Sequence, residues 1–103
     1  MKRLTNLGLY DNQIQDITPL TGLTQLTSLS LGNNKVRDIK PIAGMTNLRR
    51  LSMSDNQIRD ISIVENFKRL THLFISDNPI QDMSPIRRLR KQLPDLYVDV
   101  KID

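Results

Sequence analysis

Four aspartates, Asp16, Asp38, Asp60 and Asp82, recur at intervals of 22 residues, and Asn12, Asn34, Asn56 and Asn78 recur in step with them. Carboxylates stacked about 5 Å apart can hold a hard cation through oxygen ligands. An Asp just before a helix start more often accepts hydrogen bonds from backbone N–H groups, and that role is expected here, with no metal. A side-chain amide placed where the chain turns away from a strand can satisfy backbone groups that the turn leaves unpaired. The four asparagines are therefore expected to form a structural ladder rather than a binding site. His72 is the only histidine, and there is no cysteine. As a base, His72 lacks a nucleophile with any recognisable signature. With no Gly-rich phosphate loop either, the chain reads as a non-enzyme without cofactor, and His72 as a pH-sensitive contact.

The apolar residues follow the same period. Units starting at Leu4, Leu26, Leu48 and Leu70 each carry L-x-x-L-x-L-x-x-N-x-I or a close variant, as in Leu48, Leu51, Met53, Asn56 and Ile58. Later apolar slots in that unit are Ile61, Val64 and Phe67. The alternating stretch predicts short strands near residues 6–8, 28–30, 50–52, 72–74 and 95–98. One strand per unit makes a parallel sheet, with strands about 4.8 Å apart and five of them spanning about 19 Å. Thr18-Pro19, Lys40-Pro41 and Ser84-Pro85 share one register, with Ser62-Ile63 in the third unit. Thr or Ser as N-cap with Pro at the first helical position predicts a helix start. The few residues available suffice for single turns. The segment from Pro85 to Gln92 has room for two, ending at Leu93-Pro94.

This pattern resembles the leucine-rich repeat signature of the 22-residue class. The units Leu7-x-Leu9-x-x-Asn12-x-Ile14-x-Asp16-Ile17-x-Pro19-Leu20, with Asp38-Ile39-Lys40-Pro41-Ile42 and Asp82-Met83-Ser84-Pro85-Ile86, resemble bacterial internalin repeats. The repeat length is also similar to that of the protein phosphatase one regulatory subunit. Asn78-Pro79, followed by Leu93-Pro94-Asp95-Leu96, resembles the C-terminal caps of such intracellular proteins. The resemblance implies an α/β solenoid: a short, curved, right-handed array with a parallel sheet on its concave face and helical or 3-10 turns on its convex side. A single domain is expected, with repeats 4–25, 26–47, 48–69 and 70–92 and a cap 93–103. The resemblance also implies a non-enzymatic scaffold that binds protein through the concave face. The N-terminal helical cap, signal peptide and Ig-like domain usual in internalins have no counterpart in these residues, so receptor binding and surface anchoring do not carry over.

Recognition must use what the repeat leaves free. The outward strand positions are Asn6, Gly8 and Tyr10; Ser28, Ser30 and Gly32; Arg50, Ser52 and Ser54; His72, Phe74 and Ser76; and Asp95, Tyr97 and Asp99. Three of the four aromatics, Tyr10, Phe74 and Tyr97, fall here, and only Phe67 takes a core slot. A chain so short of aromatics would gain stability by burying them, so their placement points to a binding face. The competing view is that Phe74 and Tyr97 merely shield the sheet. By register Arg50, His72 and Asp95 share one row, with Ser52, Phe74 and Tyr97 beside it. The expected partner contacts are Tyr10, Arg50, Ser52, His72, Phe74, Asp95 and Tyr97.

The net charge of +4 and the pI of about 9.8 permit a polyanionic partner. Asp11, Asp55, Asp77 and the Asp column, however, gather on one flank, whereas Lys2, Arg3, Arg49, Lys68, Arg69, Arg90 and Lys91 gather on the other. Two solvated flanks fit better than a nucleic-acid track. The densest basic run, Arg87-Arg88-Leu89-Arg90-Lys91, sits on the last helix with Ile86 and Leu89 facing in. No apolar run approaches the length of a membrane span. No apolar segment follows Met1-Lys2-Arg3, so no signal peptide is expected, and a complete chain of this kind would be cytoplasmic. Repeat one, from Leu4 to Leu23, lacks a covering repeat. It is expected to continue into a longer array, to dimerise through that end, or to fray.

Overall fold

The computed structural model describes residues 4–102. Five short strands, β1 (Asn6–Gly8), β2 (Ser28–Ser30), β3 (Arg50–Ser52), β4 (His72–Phe74) and β5 (Tyr97–Val98), form one parallel sheet in chain order. Parallel neighbours require a crossover, and here each return segment supplies it. The inward leucines align across the sheet as Leu7, Leu29, Leu51 and Leu73, ending at Val98. The returns carry single 3-10 turns at Thr18–Leu20, Lys40–Ile42 and Ser62–Asn66. The last return carries helix α1 (Ser84–Gln92), with Ile86 and Leu89 buried.

Two expectations need correction. Thr18 and Ser84 are the first residues of their helical segments, not caps. Capping falls to the aspartate two residues earlier: Oδ1 of Asp16, Asp38, Asp60 and Asp82 accepts the N–H of Thr18, Lys40, Ser62 and Ser84, each at 2.9 Å. The last strand also starts later than expected. Val98 pairs with Leu73, and Tyr97, not Asp95, stands opposite His72. An α-helix advances about 1.5 Å per residue against about 2.0 Å for a 3-10 helix. The longer α1 return therefore uses more residues before the chain regains the sheet, and Asp95 falls outside β5.

Between the sheet and the returns lies one continuous apolar core. Leu48, Leu51, Met53, Ile58, Ile61, Val64 and Phe67 are all buried, and Phe67 is the core's only aromatic. Each fully buried side chain of this size contributes about 1.5–3 kcal/mol. Repeat one has a neighbour on one side only among the described residues. Its Leu4, Leu7, Leu9, Ile14, Leu20 and Leu23 are half-buried, whereas Ile17, expected to be similarly open, is buried.

The asparagines join successive repeats. Asn56 is buried; its Nδ2 donates to Leu31 O in the preceding repeat and to Met53 O and Ser54 O in its own. Its Oδ1 accepts the N–H of Val36, again from the preceding repeat. Asn34 does the same toward Leu9 O and Ile14 N, and Asn78 toward Met53 O and Ile58 N. Asn12 is exposed and donates within its own repeat, to Leu9 O and Tyr10 O. One residue before each asparagine the backbone is left-handed, at Asp11 (φ 60°), Asn33 (56°), Asp55 (59°) and Asp77 (58°). Asp and Asn tolerate that conformation best among residues with a Cβ.

Asn56→Ala is expected to lose about 1–3 kcal/mol of unfolding free energy through its orphaned buried partners. Asn12→Ala should lose clearly less. Urea denaturation of the two variants checks this, and equal losses would contradict a ladder that works between repeats.

Candidate recognition face on the sheet

Because the leucines of β1–β4 and Val98 of β5 point into the core, their neighbours point out, and register fixes which of them meet. The first outward row is Asn6, Ser28, Arg50, His72 and Tyr97; the second is Gly8, Ser30, Ser52 and Phe74. The C-terminal half gathers the bulky groups. Phe74 lies 5.7 Å from Tyr97 and 6.2 Å from His72 between ring centroids, and His72 lies 6.0 Å from Tyr97. The Arg50 guanidinium sits 5.9 Å from the centre of the Phe74 ring, a cation–π arrangement. Tyr97 remains half exposed, at 51%.

The Thr71 hydroxyl holds one nitrogen of the His72 ring. Thr71 Oγ1 lies 2.9 Å from Arg49 O and 2.9 Å from His72 Nδ1. The hydroxyl has one proton and a carbonyl can only accept. Arg49 O already accepts the N–H groups of Thr71 and His72, at 2.7 and 3.1 Å, so the hydroxyl proton goes to Arg49 O or to His72 Nδ1 according to the imidazole tautomer. Nε2 is left for a partner.

Of the expected contacts, the structure brings Arg50, Ser52, His72, Phe74 and Tyr97 together. Tyr10 lies on the other half of the sheet, 62% exposed and outside the aromatic cluster. Asp95 leaves the row for the reason given above. Asp99 has a part that the sequence reading missed. Its carboxylate accepts the N–H groups of Ile75 (2.7 Å) and Ser76 (3.2 Å) and the hydroxyl of Ser54 (3.1 Å). In earlier repeats the matching amides, those of Leu9, Leu31 and Met53, donate to the carbonyls of Ser30, Ser52 and Phe74 on the next strand. Asp99 thus closes the sheet with a side chain where the next carbonyl would be. The only signal in the sequence is an acidic residue just past the last strand.

The flanks are more mixed than the charge pattern suggests. An open groove of about 680 Å³ on the return side is lined by Arg37, Lys40 and Arg59 as well as Asp38 and Asp60. Arg37 is tied to Gln57 at 2.9 Å. On α1, Arg88 makes two hydrogen bonds of 2.9 Å to the Glu65 carboxylate, so the basic run is partly neutralised. Lys2 and Arg3 of the expected basic flank, and Asp103 of the cap, lie outside the described residues. Among the described residues no group of three His, Asp or Glu comes together as a metal set, and no helix is long and apolar enough to cross a membrane.

Residues 2–44 and 46–96 each match the family described as Leucine Rich repeats (2 copies). Among solved structures, the chain is similar to an internalin C2 from Listeria monocytogenes strain 4b F2365, at 40% identity and a TM-score of 0.84, over 94% of this chain and 41% of that one. A second internalin from that strain matches at 29% identity and a TM-score of 0.77, over 99% and 36% of the two chains. A leucine-rich repeat protein of Leptospira interrogans matches at 33% identity and a TM-score of 0.76, over 94% and 25%. This chain therefore spans well under half the length of each of these relatives. Curated proteins give no match.

Hydrogen bonding holds three of the capping carboxylates below their ordinary range: to the Thr18 hydroxyl and amide for Asp16, the Ser62 amide and hydroxyl for Asp60, and the Ser84 hydroxyl and amide for Asp82. A carboxylate lowered in the folded state adds stability above its unfolded pKa and loses it as pH falls through the folded value. Urea midpoints should therefore fall as pH drops below about 4. The triple variant Asp16→Asn, Asp60→Asn, Asp82→Asn should show a shallower fall; parallel pH profiles would contradict the capping role.

Proposed function

We propose, for a chain that belongs to the leucine-rich repeat family, that this solenoid is a non-enzymatic scaffold recognising a partner protein through the concave face of its sheet. Leucine-rich repeat proteins typically serve as protein-interaction scaffolds, and this coarser statement is what the family carries by itself. The observation that supports the finer one is the cluster of Phe74, Tyr97, His72 and Arg50 on the outward face. Aromatic residues and Arg are the side chains most often found at the energetic centre of protein interfaces. Here they gather on one half of a sheet whose other half offers Asn6, Gly8, Ser28 and Ser30. Tyr97 and Phe74 supply broad contact area with few rotatable bonds, Arg50 supplies directional donors, and His72 presents a polar ring edge. Ser52, small, stands opposite Phe74 in the second row.

Affinity recovery of partner protein by the wild type and by Phe74→Ala plus Tyr97→Ala tests the assignment. The double variant should recover at least tenfold less partner while keeping a wild-type circular dichroism spectrum. Unchanged recovery would remove the cluster from the interface.

A further inference from the structure

The recognition row holds an unspent cation. Among the described residues the Arg50 guanidinium makes no hydrogen bond and no ion pair, and its one contact of note is with the Phe74 ring. Glu65 takes Arg88 and Gln57 takes Arg37, but no acceptor takes Arg50. Stacking on an aromatic ring restrains a guanidinium while leaving its N–H fork free for a planar, bidentate acceptor. Directly across from Arg50 stands His72, whose Nδ1 is bound to Thr71 and whose Nε2 remains open. Next in the row comes Tyr97, half exposed, with its phenol hydroxyl free of any hydrogen bond within the described chain.

Resting on the proposed protein-binding role of this face, we infer that the Arg50–His72–Tyr97 row receives an acidic side chain of the partner, whose carboxylate bonds the Arg50 guanidinium while its flanking residue covers Phe74. The spacing suits one such group. Neighbouring strands lie about 4.8 Å apart, so a carboxylate held by Arg50 also comes within reach of the His72 ring on the next strand. The same rows argue against a phosphate backbone. A nucleic acid needs a series of cations along its track. Here the row passes from Arg50 to the neutral Ser28 and Asn6, and the neighbouring row is Gly8, Ser30, Ser52 and Phe74. At the strand ends Asp11, Asp55 and Asp77 would repel a polyanion. The charge complementarity is therefore local: one guanidinium for one carboxylate.

A phage-displayed library of random dodecapeptides, selected on the whole chain, supplies the probe. Binders displaced by Phe74→Ala protein at wild-type strength are set aside as bound elsewhere. The remaining peptides should share an Asp or Glu next to an aromatic or aliphatic residue. Changing that acid to its amide should weaken binding to wild type about tenfold, yet less than twofold to Arg50→Gln protein, the non-additivity that marks a direct contact. Arg50→Lys should recover only part of the preference, since an ammonium cannot form the fork. Arg50 is exposed, so circular dichroism of both variants should match wild type. A shared motif on this face that is uncharged or basic, or a preference untouched by Arg50→Gln, would overturn the carboxylate and leave the binding face standing. No peptide sensitive to Phe74→Ala would overturn both. A mixed-sequence oligonucleotide that competes with the peptides and binds with steep salt dependence would overturn the carboxylate in favour of a polyanion.

Discussion

Strands of two or three residues make few hydrogen bonds of their own to hold a parallel sheet together, and the asparagines after the second, third and fourth strands, Asn34, Asn56 and Asn78, add bonds between repeats. The Asn56 amide reaches a carbonyl of the previous repeat, two carbonyls of its own, and an N–H of the previous return segment. A charged group there would be stranded among apolar neighbours, and a hydroxyl has too few bonds to offer. The left-handed residue just before it turns the chain so that the amide points inward. Each repeat is thereby locked to the one before it, and the leucines behind each strand are brought into a common core.

That lock divides the labour along each strand. Inward positions are fixed by packing, and the capping carboxylates and asparagines are fixed by backbone partners. The outward positions carry none of this load except at the last strand, where Asp99 closes the sheet. They are free to differ from repeat to repeat, and in this chain they differ in an ordered way: Tyr10 apart, small and neutral in the N-terminal half, aromatic and cationic in the C-terminal half. The stacked rows then bring into contact residues 22 or 25 positions apart in the chain, such as Arg50 with His72 and His72 with Tyr97.

Strands β1 to β4 were legible in the sequence because period and alternation point the same way, and the core slots of repeats two and three followed with them. The last strand was placed near its observed position, but its start and register were not legible. Its position depends on how many residues the final return consumes, and a helix replacing a 3-10 turn changes that number without disturbing the apolar pattern. Asp95 was therefore assigned to a place that Tyr97 holds. The capping role of the Asp column was legible, but Thr18 and Ser84 also looked like caps, and only the backbone geometry separates the two. The recurring Asp-Asn or Asn-Asn pair held a further signal for the left-handed turn. The placing of Arg50 over Phe74 and the hydrogen bond between Thr71 and His72 depend on rotamers, which no spacing specifies.

The central claim is that Phe74 and Tyr97 stand on the outer face for recognition rather than to shield the sheet. Urea unfolding of Phe74→Ser plus Tyr97→Ser measures this directly. An outward ring pair contributes about 0.5–1.5 kcal/mol beyond what its burial gives, whereas truncating a core leucine such as Leu73 to Ala costs about 2–5 kcal/mol. The account predicts that the double variant loses less than about 1.5 kcal/mol. A loss in the core range would contradict it and return the two rings to the scaffold.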